Sequence, residues 1–197
     1  NALEWIATHN GGRIINRNKV ITINNPNSIK AIQRVKKWIG KISPKAVLSY
    51  AEEDCRKIWE SGNAAFMRNW PYCWSLGNQK GKVIAGKFDV APIPKAKGGK
   101  HASALGGWQI AVSKYSDNKK LAAKFALYIT SLKEQKKRAI KGSKNPTIKS
   151  LYKDKDVLKS APFLKKLYKV FTNTAPRPST VGTPNYNRIS QKFYETV

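Results

Sequence analysis

The sequence predicts an α/β protein, and three observations lead to that prediction. Apolar residues recur at helical spacing in several stretches, and at alternate or consecutive positions in short runs between them. Hydrophobic residues make up 41% of the 197 residues, which is enough to close a hydrophobic core. The glycines and prolines fall mainly between the periodic segments. We therefore expect helices and short strands to alternate along most of the chain.

The first third of the chain contains a predicted hairpin and two predicted helices. Two apolar runs flank a polar tetrapeptide and predict a hairpin over residues 13–23. Asn25 is a favourable N-cap and Pro26 suits the first helical position, so a helix is predicted to follow and to end at Gly40. A second helix is predicted over residues 52–61, where the acidic first turn complements the positive end of the helix dipole.

Three strands are predicted in the middle of the chain, over residues 64–68, 88–93 and 105–112. Helices are then predicted from about Asp117 to Ser131 and onward through Ile140. The chain beyond them is predicted to be helical with short loops. Its apolar faces consist of Leu151, Leu158, Phe163, Leu167, Val170 and Phe171.

Both ends of the chain lie inside periodic segments. Apolar residues repeat every four positions from Ile189 to Val197 and no stop signal follows them. At the front, Leu3 and Ile6 have helical spacing, but no N-cap precedes them. This pattern is typical of a piece of a longer protein. If so, the apolar faces of residues 105–140 lack their partners in this chain and remain exposed.

The charge is strongly basic, since 38 Lys+Arg against 11 Asp+Glu give a formal net charge of +27. Such a charge favours binding to a polyanion such as nucleic acid. However, 30 of the basic residues are lysines and 8 are arginines, whereas base and phosphate recognition favours arginine. The lysines are also dispersed over the outer faces of amphipathic helices. A solvated basic surface is therefore the preferred interpretation, and a polyanion-binding module remains the alternative.

The sequence contains few residues that could form a disulfide framework, a metal site or a catalytic site. Cys55 and Cys73 define no disulfide framework, and with only His9 and His101 a metal site is not expected. The acidic residues open helices or lie in a lysine-rich surface segment, so no buried acid and base pair is predicted. No apolar run approaches the roughly 18 residues that a membrane helix needs. We therefore predict neither an enzyme nor a cofactor.

Aromatic and glycine residues form the candidate binding positions. Trp70 and Tyr72 crowd the start of a helix, and Gly106 and Gly107 expose backbone beside Trp108. Aromatic rings are rigid platforms for the apolar faces of sugar rings, while backbone N–H groups can hold hydroxyl groups. The alternative is that these tryptophans belong to the hydrophobic core.

Four blocks in this order carry a resemblance to a known family. They are AAFMRNWPY at 64–72, VAPIP at 90–94, LGGWQ at 105–109 and PRPST at 176–180. Together they resemble the C-terminal half of the family 1 extracellular solute-binding proteins, most closely the trehalose/maltose-binding branch. Each block alone is weakly specific, but their order and spacing extend over nearly the whole chain.

The resemblance implies a periplasmic-binding-protein-like fold with two α/β lobes, of which this chain is an incomplete C-terminal portion. Residues 1–92 would form the first part of the C-terminal lobe. Residues 93–145 would return to the N-terminal lobe, and residues 146–197 would complete the C-terminal lobe with helices.

The resemblance also implies the ligand-binding residues. These are Trp70, Tyr72, Gly106, Gly107, Trp108 and Arg177. Arg177 has a physical argument of its own, because the prolines on both sides restrain the backbone and a guanidinium can bond two hydroxyl groups at once. The alternative is a surface arginine in a turn. Trp74 is expected to pack the helix and is not among these contacts, and Cys73 departs from the small residue expected within that motif.

The function implied by the resemblance is that of the substrate-binding subunit of an ATP-binding-cassette importer. Such a protein captures a di- or oligosaccharide in the cleft between its lobes and delivers it to permease subunits in the membrane. It would be periplasmic or extracellular, either free or membrane-tethered, and monomeric at full length, and no nucleic acid is expected as a partner. The basic charge differs from that of the acidic or neutral members of the family. An anionic sugar therefore remains a candidate ligand.

Overall fold

A computed structural model describes residues 2–177 and 183–197, and its contacts divide the chain into two compact units. Unit 1 consists of Asn1–Ala51, Pro92–Gly106 and Lys169–Val197. Unit 2 consists of Glu52–Ala91 and Gly107–Tyr168. The predicted assignment of segments to two lobes refers to the full-length protein and stays a prediction.

Helices dominate the part of the chain that the structure describes. The α-helices are α1 (Ala2–Thr8), α2 (Pro26–Lys36), α3 (Glu52–Glu60), α4 (Cys73–Gly77), α5 (Lys119–Ile129), α6 (Leu132–Gly142), α7 (Lys155–Ser160), α8 (Phe163–Thr172) and α9 (Thr183–Thr196), and Lys45–Leu48 and Lys149–Lys153 are 3-10 helices. None of these described helices is long and apolar enough to cross a bilayer.

The structure confirms the predicted starts of α2 and α3. The side chain of Asn25 accepts hydrogen bonds from the backbone N–H groups of Asn27 and Ser28, and Pro26 begins α2. The acidic first turn of α3 begins at Glu52, as predicted. The hairpin over 13–23 is present in a short form, with an antiparallel bridge between Ile15 and Ile21.

Unit 1 contains a parallel pair of short strands, β1 (Ser103–Leu105) and β2 (Thr174–Pro176). Ser103 lies opposite Thr174 and Leu105 lies opposite Pro176. The backbone N–H of Ala104 donates to the buried Glu4 carboxylate of α1 at 2.8 Å, which anchors β1 on that helix. A core of α1 and hairpin residues packs beside this sheet, formed by Leu3, Ile6, Ile14, Ile15 and Ile23.

Aromatic rings form the core of unit 2. Trp74 stacks on Phe163 with ring centroids 5.0 Å apart, and Phe88 meets Trp59 edge-on at 4.4 Å. Gly77 lies so close to Trp59 and Phe88 that an added Cβ would come within about 3 Å of both rings. The glycine therefore allows α4 to pack tightly against the aromatic core.

The predicted strands over 64–68 and 88–93 are wrong, because neither segment is a strand in the structure. Of the predicted strand 105–112, Leu105 alone belongs to β1. A strand requires a hydrogen-bonded neighbour, and no strand in the described residues pairs with these segments. Phe66, in the first of these segments, is 95% exposed. The apolar face of α5 is exposed at Leu121 and Phe125, which confirms the unpartnered face expected within 105–140.

Candidate functional site

Trp70 and Tyr72 lie beside the first turn of α3. Asn69 fastens their segment to the helix, because its Nδ2 donates to the Glu52 carbonyl at 2.9 Å while its Oδ1 accepts the N–H of Trp70 at 2.7 Å. Both aromatic side chains are half-buried. Each ring is therefore positioned by the fold and still partly open to a ligand.

Two carboxylates hold the polar edges of these rings. The Nε1–H of Trp70 donates to Oε1 of Glu52 at 3.2 Å, and the hydroxyl of Tyr72 donates to Oε1 of Glu53 at 2.5 Å. Fixing the polar edge of an aromatic ring restricts its rotation, so less rotamer entropy is lost when a ligand stacks on its face. In the sequence, Glu52 and Glu53 indicate only a favourable interaction with the helix dipole, and no local pattern signals their contacts with the rings.

An ion-pair network holds the Glu53 carboxylate in position. Nε of Arg56 donates to Oε2 of Glu53 at 2.9 Å, and the same guanidinium contacts Glu60 one turn further along α3. Glu60 is only 7% exposed and also accepts a hydrogen bond from Nζ of Lys82 at 2.8 Å. Burial alone would raise the pKa of Glu60, but the hydrogen bonds from Lys82 and Arg56 outweigh it and the pKa is lowered.

The same network shifts the ionisation of the two ring partners. The hydrogen bonds from Arg56 and then Tyr72 lower the pKa of Glu53 to about 2. The hydrogen bond from its own backbone N–H and then that from Trp70 lower the pKa of Glu52. Burial and the Glu53 carboxylate raise the pKa of Tyr72, so its hydroxyl remains a donor at neutral pH.

We expect Glu53 to remain ionised under mildly acidic conditions. The pKa of Glu53 is lower in the folded state than the ordinary value of 4.5, so ionised Glu53 stabilises the folded state. This stabilisation is fully present above pH 4.5 and is lost as the pH falls toward about 2. Carbon NMR of the Glu53 carboxyl in the full-length gene product should show it still ionised at about pH 3.5. The substitution Arg56→Gln should move the midpoint upward. A native midpoint near 4.5 would contradict the observed network.

Gly106 and Arg177 come together at one end of the two-stranded sheet. They directly follow Leu105 and Pro176, which are opposite each other in the parallel pair, so both emerge at the carboxyl end of their strands. Neighbouring strands are about 4.8 Å apart, and carboxyl ends of parallel strands are common ligand positions in α/β proteins. Sequence spacing did not indicate this juxtaposition, because 70 residues separate the two positions.

The remaining aromatic candidates differ in exposure. Trp108 is fully exposed on the segment after Gly106 and Gly107, so the alternative that it is a core residue is wrong for this structure. Trp74 lies in the aromatic core of unit 2 and packs on Phe163 and Phe88. The six predicted contacts stay a prediction as ligand-binding residues.

Redox and metal sites are not apparent in the described residues. Cys55 and Cys73 are unbridged, and burial raises the pKa of Cys73 to about 11, so its thiol is protonated at neutral pH. No group of three or more His, Cys, Asp or Glu side chains in the described ranges could hold a metal ion. His9 instead lies within hydrogen-bonding distance of Thr8 and Arg34.

Solved structures of solute-binding proteins have the same fold. The maltose-bound structure of T. maritima MalE3 aligns with a TM-score of 0.88 at 38% identity, over 98% of this chain and 50% of that one. An ABC transporter solute-binding protein from Agrobacterium radiobacter, solved with ribitol, aligns with a TM-score of 0.74 at 23% identity, over 94% of this chain and 46% of that one. The second likeness concerns the fold alone. The predicted fold class, that of periplasmic binding proteins, is confirmed.

Residues 3–136 match the bacterial extracellular solute-binding protein family, and the chain belongs to that family. A probable ABC transporter-binding protein of Deinococcus radiodurans is 50% identical over 196 residues, which cover 100% of this chain and 47% of that protein. The chain thus spans about half the length of this relative and of the MalE3 structure. The resemblance drawn from the four sequence blocks is confirmed at the level of the family.

Proposed function

We propose that the full-length protein is the substrate-binding subunit of an ATP-binding-cassette importer and captures a di- or oligosaccharide of the trehalose/maltose type. It binds the sugar without transforming it and delivers it to permease subunits in the membrane. The relative from Deinococcus radiodurans, described as a probable ABC transporter-binding protein, and the maltose-bound MalE3 structure support this proposal.

The observation that carries the proposal is the pair of aromatic rings at the first turn of α3. The hydrogen bonds from Trp70 to Glu52 and from Tyr72 to Glu53 fix the orientation of both rings. The C–H faces of a pyranose stack on such rings, and nearby carboxylate oxygens accept hydrogen bonds from its hydroxyl groups. Glu52 is exposed, so its carboxylate is accessible to a sugar hydroxyl group.

The other predicted contacts supply complementary chemistry. Gly106 and Gly107 present backbone groups in an exposed segment, and Trp108 adds a further aromatic face. Arg177 is exposed after β2, where its guanidinium can donate to two hydroxyl groups at once. We propose each of them as a ligand contact in the cleft of the full-length protein.

In the proposed cycle, binding favours a closed conformation of the full-length protein. Closure excludes water from the sugar, and the permease recognises the closed form. The protein would act in the periplasm or outside the cell, free or tethered to the membrane, and as a monomer.

The proposal is tested by calorimetric titration of the full-length gene product with maltose and trehalose. We expect saturable binding to one site and no change in the sugar, as monitored by chromatography of the ligand after incubation. Binding of neither sugar, nor of longer glucose oligosaccharides, would contradict the proposed ligand class. Hydrolysed or transferred sugar would instead indicate an enzyme.

Salt distinguishes sugar binding from the polyanion alternative. A neutral disaccharide releases no counterions, so its affinity for the full-length gene product should be nearly the same at about 50 mM and 200 mM salt. A nucleic-acid or polyanion module would lose affinity by orders of magnitude over that range. Titrating a DNA oligonucleotide in parallel provides the comparison. A steep salt dependence for the neutral sugar would count against the proposed mode of recognition.

A further inference from the structure

One cavity of unit 1 is bordered by an unusual set of charges. Its volume is about 380 Å³, and among the described residues four basic side chains but no acidic one line it. Arg13, Arg17 and Lys19 come from the hairpin, and Arg177 comes from the end of β2. Residues from two distant parts of the chain therefore place positive charge around a single concave space.

None of these four side chains has a partner among the described residues. No hydrogen bond or ion pair joins Arg13, Arg17, Lys19 or Arg177 to another described side chain. The guanidinium of Arg56, by contrast, is bonded to two carboxylates. Unpaired guanidinium groups keep all their donors available in a planar fork that matches phosphate and carboxylate groups.

The acidic residues of unit 1 are engaged elsewhere. In the sequence ranges of this unit they are Glu4 and Glu195, and neither lines the cavity. Glu4 is buried against β1, where it accepts the N–H of Ala104, and Glu195 accepts a hydrogen bond from Gln191. The repulsion between the cavity cations is thus not offset by a carboxylate of the cavity lining, and a bound anion would relieve it.

The backbone holds these cations in place. Oδ1 of Asn16 accepts the N–H groups of Asn18 at 2.9 Å and Val20 at 3.0 Å, which closes the hairpin turn that carries Arg17 and Lys19. Arg177 follows Pro176, which is paired with β1. Preorganised donors bind an anion at a lower entropic cost than donors on a mobile loop.

We infer that this cavity binds an anionic group, phosphate or carboxylate, carried by the saccharide ligand. The inference rests on the proposed function, because Arg177 both lines the cavity and stands beside Gly106 at the strand ends. If a hydroxyl group of the sugar is bound by Arg177, an anionic substituent on the same sugar lies next to the cationic side chains of the hairpin. The ligand class is therefore a phosphorylated or carboxylated saccharide.

The test compares neutral and anionic forms of one sugar. The full-length gene product is titrated with maltose and trehalose, with their 6-phosphates, and with inorganic phosphate, at low salt. We expect a sugar phosphate to bind at least about tenfold more tightly than its parent sugar. The double variant Arg17→Gln with Lys19→Gln should abolish this preference and leave the affinity for the neutral sugar unchanged.

A matched variant controls for net charge. Lys30→Gln with Lys41→Gln also removes two charges from exposed residues of unit 1, and neither residue lines the cavity. This pair should keep the preference for the sugar phosphate. An equal loss in both double variants, or inorganic phosphate binding as tightly as the sugar phosphate, would overturn the inference. Binding of the neutral sugar without any preference overturns the inference alone, whereas binding of no sugar overturns the proposed function as well.

Discussion

Trp70→Ala should weaken sugar binding to the full-length gene product by about 2 kcal/mol or more, roughly 30-fold. The indole of Trp70 is half-buried and its Nε1–H is fixed by Glu52, so we expect it to act as a rigid anchor for the face of a sugar ring. Removal of the ring takes away the stacking surface and leaves the Glu52 carboxylate without this donor. Trp108→Ala should have a loss of similar size, because that ring is fully exposed and available to a ligand.

The control for these variants is Tyr115→Ala. Tyr115 is another exposed aromatic residue of unit 2 and does not belong to the predicted site. Calorimetric titration should show wild-type affinity for this variant. If Trp70→Ala and Trp108→Ala also bind with wild-type affinity, neither residue is a ligand contact.

Phe163→Ala should lower the free energy of unfolding by about 4 kcal/mol, the largest effect on stability that we expect from a single substitution in unit 2. Phe163 is only 2% exposed and stacks on Trp74 with ring centroids 5.0 Å apart. The truncation removes both the buried apolar area and this aromatic contact, and it leaves a cavity that a close-packed core refills only in part.

Phe66→Ala is the matched control, because Phe66 belongs to the same unit but is 95% exposed. Denaturant unfolding of the full-length gene product, followed by tryptophan fluorescence, should show a shift of less than about 0.5 kcal/mol for this variant. Equal destabilisation by the two substitutions would mean that Phe66 is buried in the full-length protein or that Phe163 is not a core residue.

The helices were the most predictable part of the fold, because their signals are local. Asn25 and Pro26 predicted the start of α2, and the acidic turn at Glu52 predicted the start of α3. Each of these signals acts on backbone groups within about four residues. They therefore hold regardless of what packs around the helix.

The strands were less predictable, because a strand depends on a partner elsewhere in the chain. The apolar runs at 64–68 and 88–93 have strand-like composition but remain unpaired in the described structure. The sheet in the structure joins residues 103–105 to residues 174–176 and includes Pro176. Proline is rare inside sheets, so the sequence does not indicate a strand at this position. Pairing over such a sequence separation cannot be derived from local pattern.

The sequence named the aromatic residues of the candidate site but not the groups that hold them. The sequence indicated Trp70 and Tyr72 as binding platforms, yet their hydrogen bonds to Glu52 and Glu53 span 18 and 19 residues. Arg56 was likewise indistinguishable from any other helical arginine. Its role in supporting Glu53 follows only from the distance of 2.9 Å between Nε and Oε2.

The sequence by itself determined the starts of α2 and α3, because these depend on residue type and spacing over a few positions. The resemblance of its four blocks to a known family identified the family and with it the fold class. The tertiary structure alone decided which charges are paired. It placed Arg56 between two carboxylates, and it left Arg17 and Arg177 around a cavity without an acidic partner in the described part of the chain. Electrostatic interactions depend on separation in space and on burial, and neither quantity is contained in the order of residues.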